Sequence, residues 1–505
     1  MNLISKALIG TFTCPLRSTA MLISITALFS TTAIAGNNDT TETIQTRAGD
    51  FTFETDFLHG IPTQASSEKL FELMDYQRAS QAYIWSVPLV SNYAWKQAYA
   101  NMGAEDGQIT YVESHESKLG GLTYNTSTPY AITWFNVEKE PVVIEIPTDE
   151  LRGAVHTMWQ IGISQMTEPG VYVVKAKGSE TPRNLPKGAK VFESDTNNVF
   201  FGVRLMAKSE QQRMKDLEAL KITDLSGKLL SNNGVNFPEH GEDAKHPRGM
   251  AFWETLNEAI QAEPVAERDR MMHDMLRPLG IEKGKAFTPS AQQRDILEQA
   301  VVMGEAMVKN IDFDFNKTER LPHAAYGKEG NSWEIATAST PNQDRHYGMD
   351  LDGRAAWFYE AVTNDIAMHG FENGGWGQIY LDNYRDDNGK GLNGSNHYTL
   401  TLDGDVNFAD LFWTITVYNV ENRAIIDNDI ERADVGSNIE GTVRDAKGNY
   451  TFHFSPTKPA GVNEANWVQT REDENWFVYF RAYSPSKAFV EQQPETLLPN
   501  FKRVN

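Results

Sequence analysis

Cysteine is almost missing from this chain: Cys14 is the only one among 505 residues. It lies in an N-terminal stretch that reads as a cleavable leader. The mature chain is therefore expected to hold no disulfide, no thiolate ligand and no cysteine nucleophile. A fold without staples must rely on the size of its core, and 40% hydrophobic and 11% aromatic residues are enough to build one. Positive charge is also short, with 46 Lys and Arg against 68 Asp and Glu and a formal net charge of −22. The leader carries Lys6 and Arg17 but no acid, so its removal takes −22 to −24. The acids are spread along the chain and form no tail, as on a solubilising surface. Such a chain repels phosphate backbones, which excludes nucleic acid as an expected partner. Beyond the leader no apolar run is long enough for a transmembrane segment, and no internal repeat or low-complexity tract is present.

The leader itself has three recognisable parts. Lys6 and Arg17 make a basic region, "AMLISITALFS" (Ala20 to Ser30) is apolar but too short to span a bilayer, and Ala33 and Ala35 give the small-x-small cleavage pattern. Residues 1–35 are thus expected to be a signal peptide, and the mature protein to be periplasmic or secreted.

Organisation follows from the hydrophobic period. Residues 36–65 read as a polar N-terminal segment. A helical run follows, with Leu70, Leu73, Met74, Arg78, Gln81 and Ile84 at helical spacing and Pro88 expected to break or kink it. From Thr123 the period becomes two, as in "PVVIEIP", which closes a helix-plus-β region at residues 66–205. Residues 206–345 return to helical spacing. "MAFWETLNEAIQAEP" puts Phe252, Leu256, Ala259 and Ile260 on one side, and a later helix is expected to open on Thr288 as cap with Pro289 at its first position. Residues 346–505 turn to β after one helix. In "LFWTITVY", Leu411, Trp413, Ile415 and Val417 alternate with Phe412, Thr414, Thr416 and Tyr418. In "WFVYFRAY", Trp476, Val478, Phe480 and Ala482 alternate with Phe477, Tyr479, Arg481 and Tyr483. Large side chains on both faces mean that both faces are covered. The expected fold is mainly β with helical additions (α+β): two β-sandwich or jelly-roll-like domains joined by a helical segment.

Several motifs carry a resemblance. "QAYIWSVPLV", "TYNTSTPY", "TWFNVEKEPVVIEIP" and "RPLGIEKGKAF" resemble domain of unknown function 1254. "GLNGSNHYTLTL", "FWTITVYN" and "IIDNDIERADVG" resemble domain of unknown function 1214, its usual C-terminal partner. The resemblance covers about Tyr76 to Val504. It implies two jelly-roll-like β domains with helical additions in an exported bacterial protein, and it implies no established activity. In the family an Asn-Asn-Asp-Thr core is usual where this chain has "YNTSTPY". Thr126 and Ser127 replace the second Asn and the Asp, so a carboxylate that served as a catalyst in relatives would be missing here.

Candidate functional residues fall into three groups. Asp427, Glu431 and Arg432 follow the strongest strand, and with Asn125 they could supply general acid and base chemistry, Arg432 holding a carboxylate ionised. Turn chemistry is the plainer explanation for the Asx residues there. Trp376, Trp159, Tyr130 and His397 are candidate binding residues, Trp376 because it stands among glycines on an expected loop. A divalent metal has two possible homes. His156, His397 and His453 could converge on zinc, or the Asn/Asp-rich loop from Asp386 could take calcium, although Lys390 and Gly391 spoil an EF-hand there. Each of these histidines alone is more simply a hydrogen-bonded strand residue. The glycines of "RPLGIEKGKAF" lack the Gly-Lys-Ser/Thr ending of a phosphate loop, and no Gly-x-Ser-x-Gly elbow occurs. The expected function is a hydrolase acting on a glycan, amide or small amphipathic substrate in a cleft between the β domains. The alternatives are a non-catalytic glycan or small-ligand binder and a structural or assembly protein. A homo-oligomer is the expected assembly.

Overall fold

A computed structural model describes residues 40–313, 332–336, 340–364, 368, 377–492 and 497–504. Residues 1–35, where a leader is expected, and Trp376 lie outside the described residues. Backbone contacts divide the chain into two compact units at Leu73/Met74. The first holds an antiparallel hairpin, Thr41–Thr46 with Gly49–Glu54, in a stretch that reads as loose and polar in sequence. Its threonines favour extended backbone, and Phe51 and Phe53 bury one face. Among the described residues no helix is long and apolar enough to cross a membrane.

The second unit is built on two β sandwiches. In the first, a five-stranded sheet runs in the order Thr110–Val112, Tyr130–Asn136, Asn198–Leu205, Leu151–Thr157, Gly162–Met166. A four-stranded sheet runs in the order Lys221–Thr223, Val142–Ile146, Gly170–Ala176, Lys190–Ser194. The strand Asn198–Leu205 shows how they share side chains. Val199, Phe201, Val203 and Leu205 point into the sandwich with Phe135, Ile144 and Val174, whereas Phe200 belongs to a different core on the opposite face.

The second sandwich repeats the plan. Its five-stranded sheet runs Glu334–Ile335, Gln378–Asn383, Trp476–Pro485, Ala409–Asn419, Asp434–Gly436, and its four-stranded sheet runs Trp467–Gln469, Tyr450–Ser455, His397–Leu402, Lys502–Val504. Trp476 and Trp413 meet the smaller sheet's aromatics: Trp476 stacks on Phe454 at 5.3 Å, and Trp413 meets Phe452 edge-on while stacking on Phe480 of its own sheet at 5.6 Å. The other face of strand Trp476–Pro485 carries Phe477, Tyr479, Arg481 and Tyr483, as the alternation predicts. Strand Ala409–Asn419 departs from its expected pattern at one point. A register shift between Ala409 and Phe412 turns Leu411 outward to 71% exposure, away from Trp413 and Ile415.

Helices cover the faces that the sandwiches leave open. Helix Gln64–Asn101 runs on through Pro88 without ending. The residues around the proline, Trp85, Val87, Leu89 and Val90, are all buried, so tertiary packing outweighs the lost hydrogen bond. In helix Met250–Ala262, Phe252, Leu256, Ala259 and Ile260 are buried as their spacing requires, and each side chain the size of Leu or Phe contributes roughly 1.5–3 kcal/mol. Lys283 of "RPLGIEKGKAF" closes that helix by donating to the carbonyls of Ile260, Gln261 and Glu263 at 2.7–3.0 Å, a structural role for the glycine-punctuated loop. Helix Ala291–Phe313 starts later than expected. Ser290 and Gln293, not Thr288, make its cap: Gln293 N donates to Ser290 Oγ and Ser290 N to Gln293 Oε1. This reciprocal box satisfies two otherwise open amides, which Thr288 is too early in the chain to do.

Candidate functional site: a cleft between the two large sheets

The two five-stranded sheets turn their outer faces toward one cavity of about 360 Å³, a size typical of small-molecule sites. The first sheet contributes Tyr130 and Ile132, Arg152, Ala154 and His156, and Phe200, Gly202 and Arg204 from three adjacent strands. These are the residues at alternate positions whose neighbours fill the sandwich. The second sheet contributes Gln378 and Tyr380, Phe412, and Tyr479, Arg481 and Tyr483. Trp357 of helix Leu351–Glu360 and the residues after it, Ala361 to Thr363, close one side. Exposed Arg152, Met206 and Leu411 mark the opening to solvent.

The lining has two chemical parts. Trp95, Ile132, Phe200, Trp357 and Phe412 make apolar walls, and all but Phe412 are buried to at least nine-tenths. Three arginines, Arg152, Arg204 and Arg481, supply positive charge, and the described lining residues include no Asp, Glu or Lys. Arg204 donates to Gln378 Oε1 at 3.0 Å and lies 5.8 Å over the Tyr130 ring. Arg481 is 3% exposed; it donates to the Tyr418 hydroxyl and, at 2.6 Å, to the Thr123 carbonyl. Its guanidinium faces the rings of Tyr479 and Tyr380 at 4.9 and 5.0 Å. Tyr483 is 7% exposed, stacks on Phe412 at 4.4 Å, and its hydroxyl has no hydrogen-bond partner among the described residues. Burial raises its pKa, so the phenol is protonated at neutral pH.

Of the residues expected from sequence, the cavity brings together Asn125 and Tyr130. Asn125 is buried: its Nδ2 donates to the Tyr130 hydroxyl, and its Oδ1 accepts from Thr128 N at 2.9 Å and from the hydroxyls of Ser127 and Thr128. It shapes the loop that borders the cavity. Asp427 and Glu431 are exposed and outside the lining. Arg432 also lies outside, and its guanidinium donates to the carbonyls of Glu464 and Trp467 at 2.6 and 2.5 Å. The neighbouring Asp429 pairs with Arg471 at 3.0 Å. Trp159 is a core residue at 5.0 Å from Trp85, with Arg354 5.3 Å over its ring. His397 lies on the smaller sheet of the second sandwich, where its Nε2 is 3.0 Å from His453 Nδ1. His156 lines the cavity, on the other sandwich, so the three histidines do not share one site. Among the described residues no group of three or more His, Asp or Glu is placed to hold a metal. The Asp386 side chain accepts from the amides of Asn388 and Lys390 at 2.9 Å, closing its own turn.

Residues 377–487 match the family described as protein of unknown function DUF1214, and residues 108–223 match the one described as protein of unknown function DUF1254. The DUF1254 match precedes the DUF1214 match along the chain. No curated protein matches it. The VPA0106 protein from Vibrio parahaemolyticus has a similar fold in its crystal structure, with 19% identity and a TM-score of 0.52 over 85% of this chain and 100% of that one. A putative uncharacterized protein from Burkholderia cenocepacia aligns over 86% of this chain and 96% of its own at 12% identity and a TM-score of 0.39.

The landmark motifs of DUF1254 and DUF1214 meet at the seam beside the cavity. Thr123 N donates to Arg423 O at 2.8 Å, and the Tyr418 hydroxyl of "FWTITVYN" donates to Tyr124 O at 2.8 Å. Thr126, which replaces the family's second Asn, donates from Oγ1 to buried Asp434 Oδ2 at 2.5 Å. Lys118, 1% exposed, donates to the carbonyls of Thr128 and Thr126 at 2.9 and 3.3 Å. Burial lowers its pKa to about 8, against the pull of Asp434. Burial likewise raises the pKa of Asp434, opposed by Thr126, Arg432 and Lys118. Sequence reasoning missed Lys118, Arg204, Arg481 and Asp434 as neighbours of one site. Only Arg481 carried a signal, a lone charge within the aromatic strand "WFVYFRAY".

Proposed function

We propose that the protein binds a small amphipathic molecule in the cleft between its DUF1254 and DUF1214 sheets. The observation that carries this is the cavity of about 360 Å³ itself, walled by Trp95, Ile132, Phe200 and Trp357 and rimmed by a few polar groups. That is the composition of a ligand site, in which apolar area holds the molecule and sparse polar groups orient it. A hydrolase acting through Asp427, Glu431, Arg432 and Asn125 would need those groups around one substrate. Only Asn125 of the four lines the cleft, and its Oδ1 is engaged by Thr128, so binding is favoured over hydrolysis. We also propose that the protein is periplasmic or secreted, a reading supported by Lys6, Arg17, the apolar Ala20–Ser30 stretch and the Ala33/Ala35 pattern.

The test fills the cavity from a strand whose opposite face is already fixed. Ala154 points into it from strand Leu151–Thr157. Nile red, an uncharged apolar dye, is expected to brighten on binding the wild-type chain. Ala154→Trp should remove that signal while far-UV circular dichroism is unchanged. Equal dye binding by a folded Ala154→Trp variant would sink the proposal.

A further inference from the structure

Resting on that ligand-binding reading, we infer that the molecule bound in the cleft carries an anionic head group, seated among Arg204, Arg481 and the Tyr483 hydroxyl, with its apolar part against Trp95, Ile132, Phe200 and Trp357. The first ground is charge. The chain has a net charge of −22, yet three arginines and none of the described acids line this cavity. Burying a cation without a counter-charge is costly. Arg481 is buried at 3% exposure, and its donors go to a tyrosine hydroxyl and a backbone carbonyl rather than to a carboxylate. Tyrosine faces offset part of that cost, and an anion delivered by a ligand would offset more of it.

The second ground is an open donor. The Tyr483 hydroxyl is buried in the cavity wall without a partner among the described residues, and such a group carries a desolvation cost until something accepts from it. Tyr483 is within electrostatic range of both Arg481 and Arg204, which reach it from the two different sheets. Arg204 also approaches the Tyr380 hydroxyl at 3.5 Å, and Arg481 faces the ring of the same tyrosine. Two guanidinium groups and a phenol thus converge from opposite walls. A carboxylate and a phosphate monoester share the chemistry that such a set recognises: oxygen acceptors bearing negative charge. Arg152 at the exposed mouth would draw the anion in against the repulsion of the acidic surface.

Fluorescence of Trp95 and Trp357, which line the cavity, and calorimetry can follow titration of the full chain with decanoate, decyl phosphate and decanol. At least one of the two anions is expected to bind about tenfold or more tightly than decanol, as hydrogen bonds to charged groups warrant. Arg204→Met should bring all three into the same affinity range. Tyr483→Phe should weaken the anions more than decanol, because the phenol's hydrogen bond to a charged oxygen is stronger than its bond to an alcohol. Arg481→Met is a poor probe because Arg481 also holds the Thr123 carbonyl, so the two other variants carry the test. If decanol binds wild type as tightly as both anions, the anionic class is wrong and the cleft remains a binding site. If none of the three binds, the ligand-binding reading falls as well. A preference for decanoate over decyl phosphate, or the reverse, identifies which head group the site takes.

Discussion

At the scale of single residues, charge and burial pull in opposite directions along the seam. Lys118 is the clearest case. Burial lowers its pKa from 10.5 to about 8, so between those values the unfolded chain binds the extra proton. Stability must therefore rise with pH across that window through this group, and its cost is fully present below pH 8. A shift of this size corresponds to about 3 kcal/mol at most. Urea unfolding at pH 7.5 and pH 10 should show wild type gaining relative to Lys118→Met, whose curve lacks this contribution. Equal pH dependence in the two proteins would refute the assignment. None of this was visible in sequence. Lys118 reads as one charge in a polar stretch, and only folding places Asp434, 316 positions later, close enough to act on it. Asn125 and Tyr130 were legible as a polar run entering a strand, because loop and strand are contiguous in the chain. Arg204 and Arg481 were not, since a strand arginine looks the same whether its face meets water or another sheet.

At the scale of elements, local chemistry decided ends and faces. The capping box at Ser290 gives a discriminating prediction. Ser290→Ala should cost about 1 kcal/mol, while Thr288→Ala should stay within about 0.5 kcal/mol, both measured from the midpoint of urea unfolding. The reverse order would restore Thr288 as the cap. Strand faces were readable wherever the period of two held, as in Trp476 to Tyr483, because successive side chains must point to opposite sides. The period failed at Leu411, where a bulge inserts extra backbone and resets the alternation. "GLNGSNHYTL" shows a glycine doing something the sequence suggests but does not locate. A Cβ on Gly394 would lie 1.9 Å from the Arg471 carbonyl oxygen, so the turn admits no side chain there. That turn delivers His397 to its pairing with His453 and not to the cleft.

At the scale of the molecule, one core joins the helices and the second sandwich to the outer face of the first, whose interior forms a separate cluster. Tyr83, Trp134, Phe200, Trp253, Trp413 and Phe480 all belong to the joining core, so the helices, the outer face of the first sandwich and the second sandwich share buried surface. Near-UV and far-UV circular dichroism are therefore expected to report one coincident thermal transition. Two separated transitions would show that the sandwiches fold independently in spite of the shared core. The sequence by itself determined the β-rich class, the helical faces, the leader pattern and the DUF1254–DUF1214 order, because these depend on neighbours a few residues apart. Tertiary structure alone decided the cleft. Its polar set joins Arg204 to Tyr380, 176 positions apart, and the seam beside it joins Thr126 to Asp434, 308 apart. Periodicity says which side chains share a face but carries no information about which two faces meet.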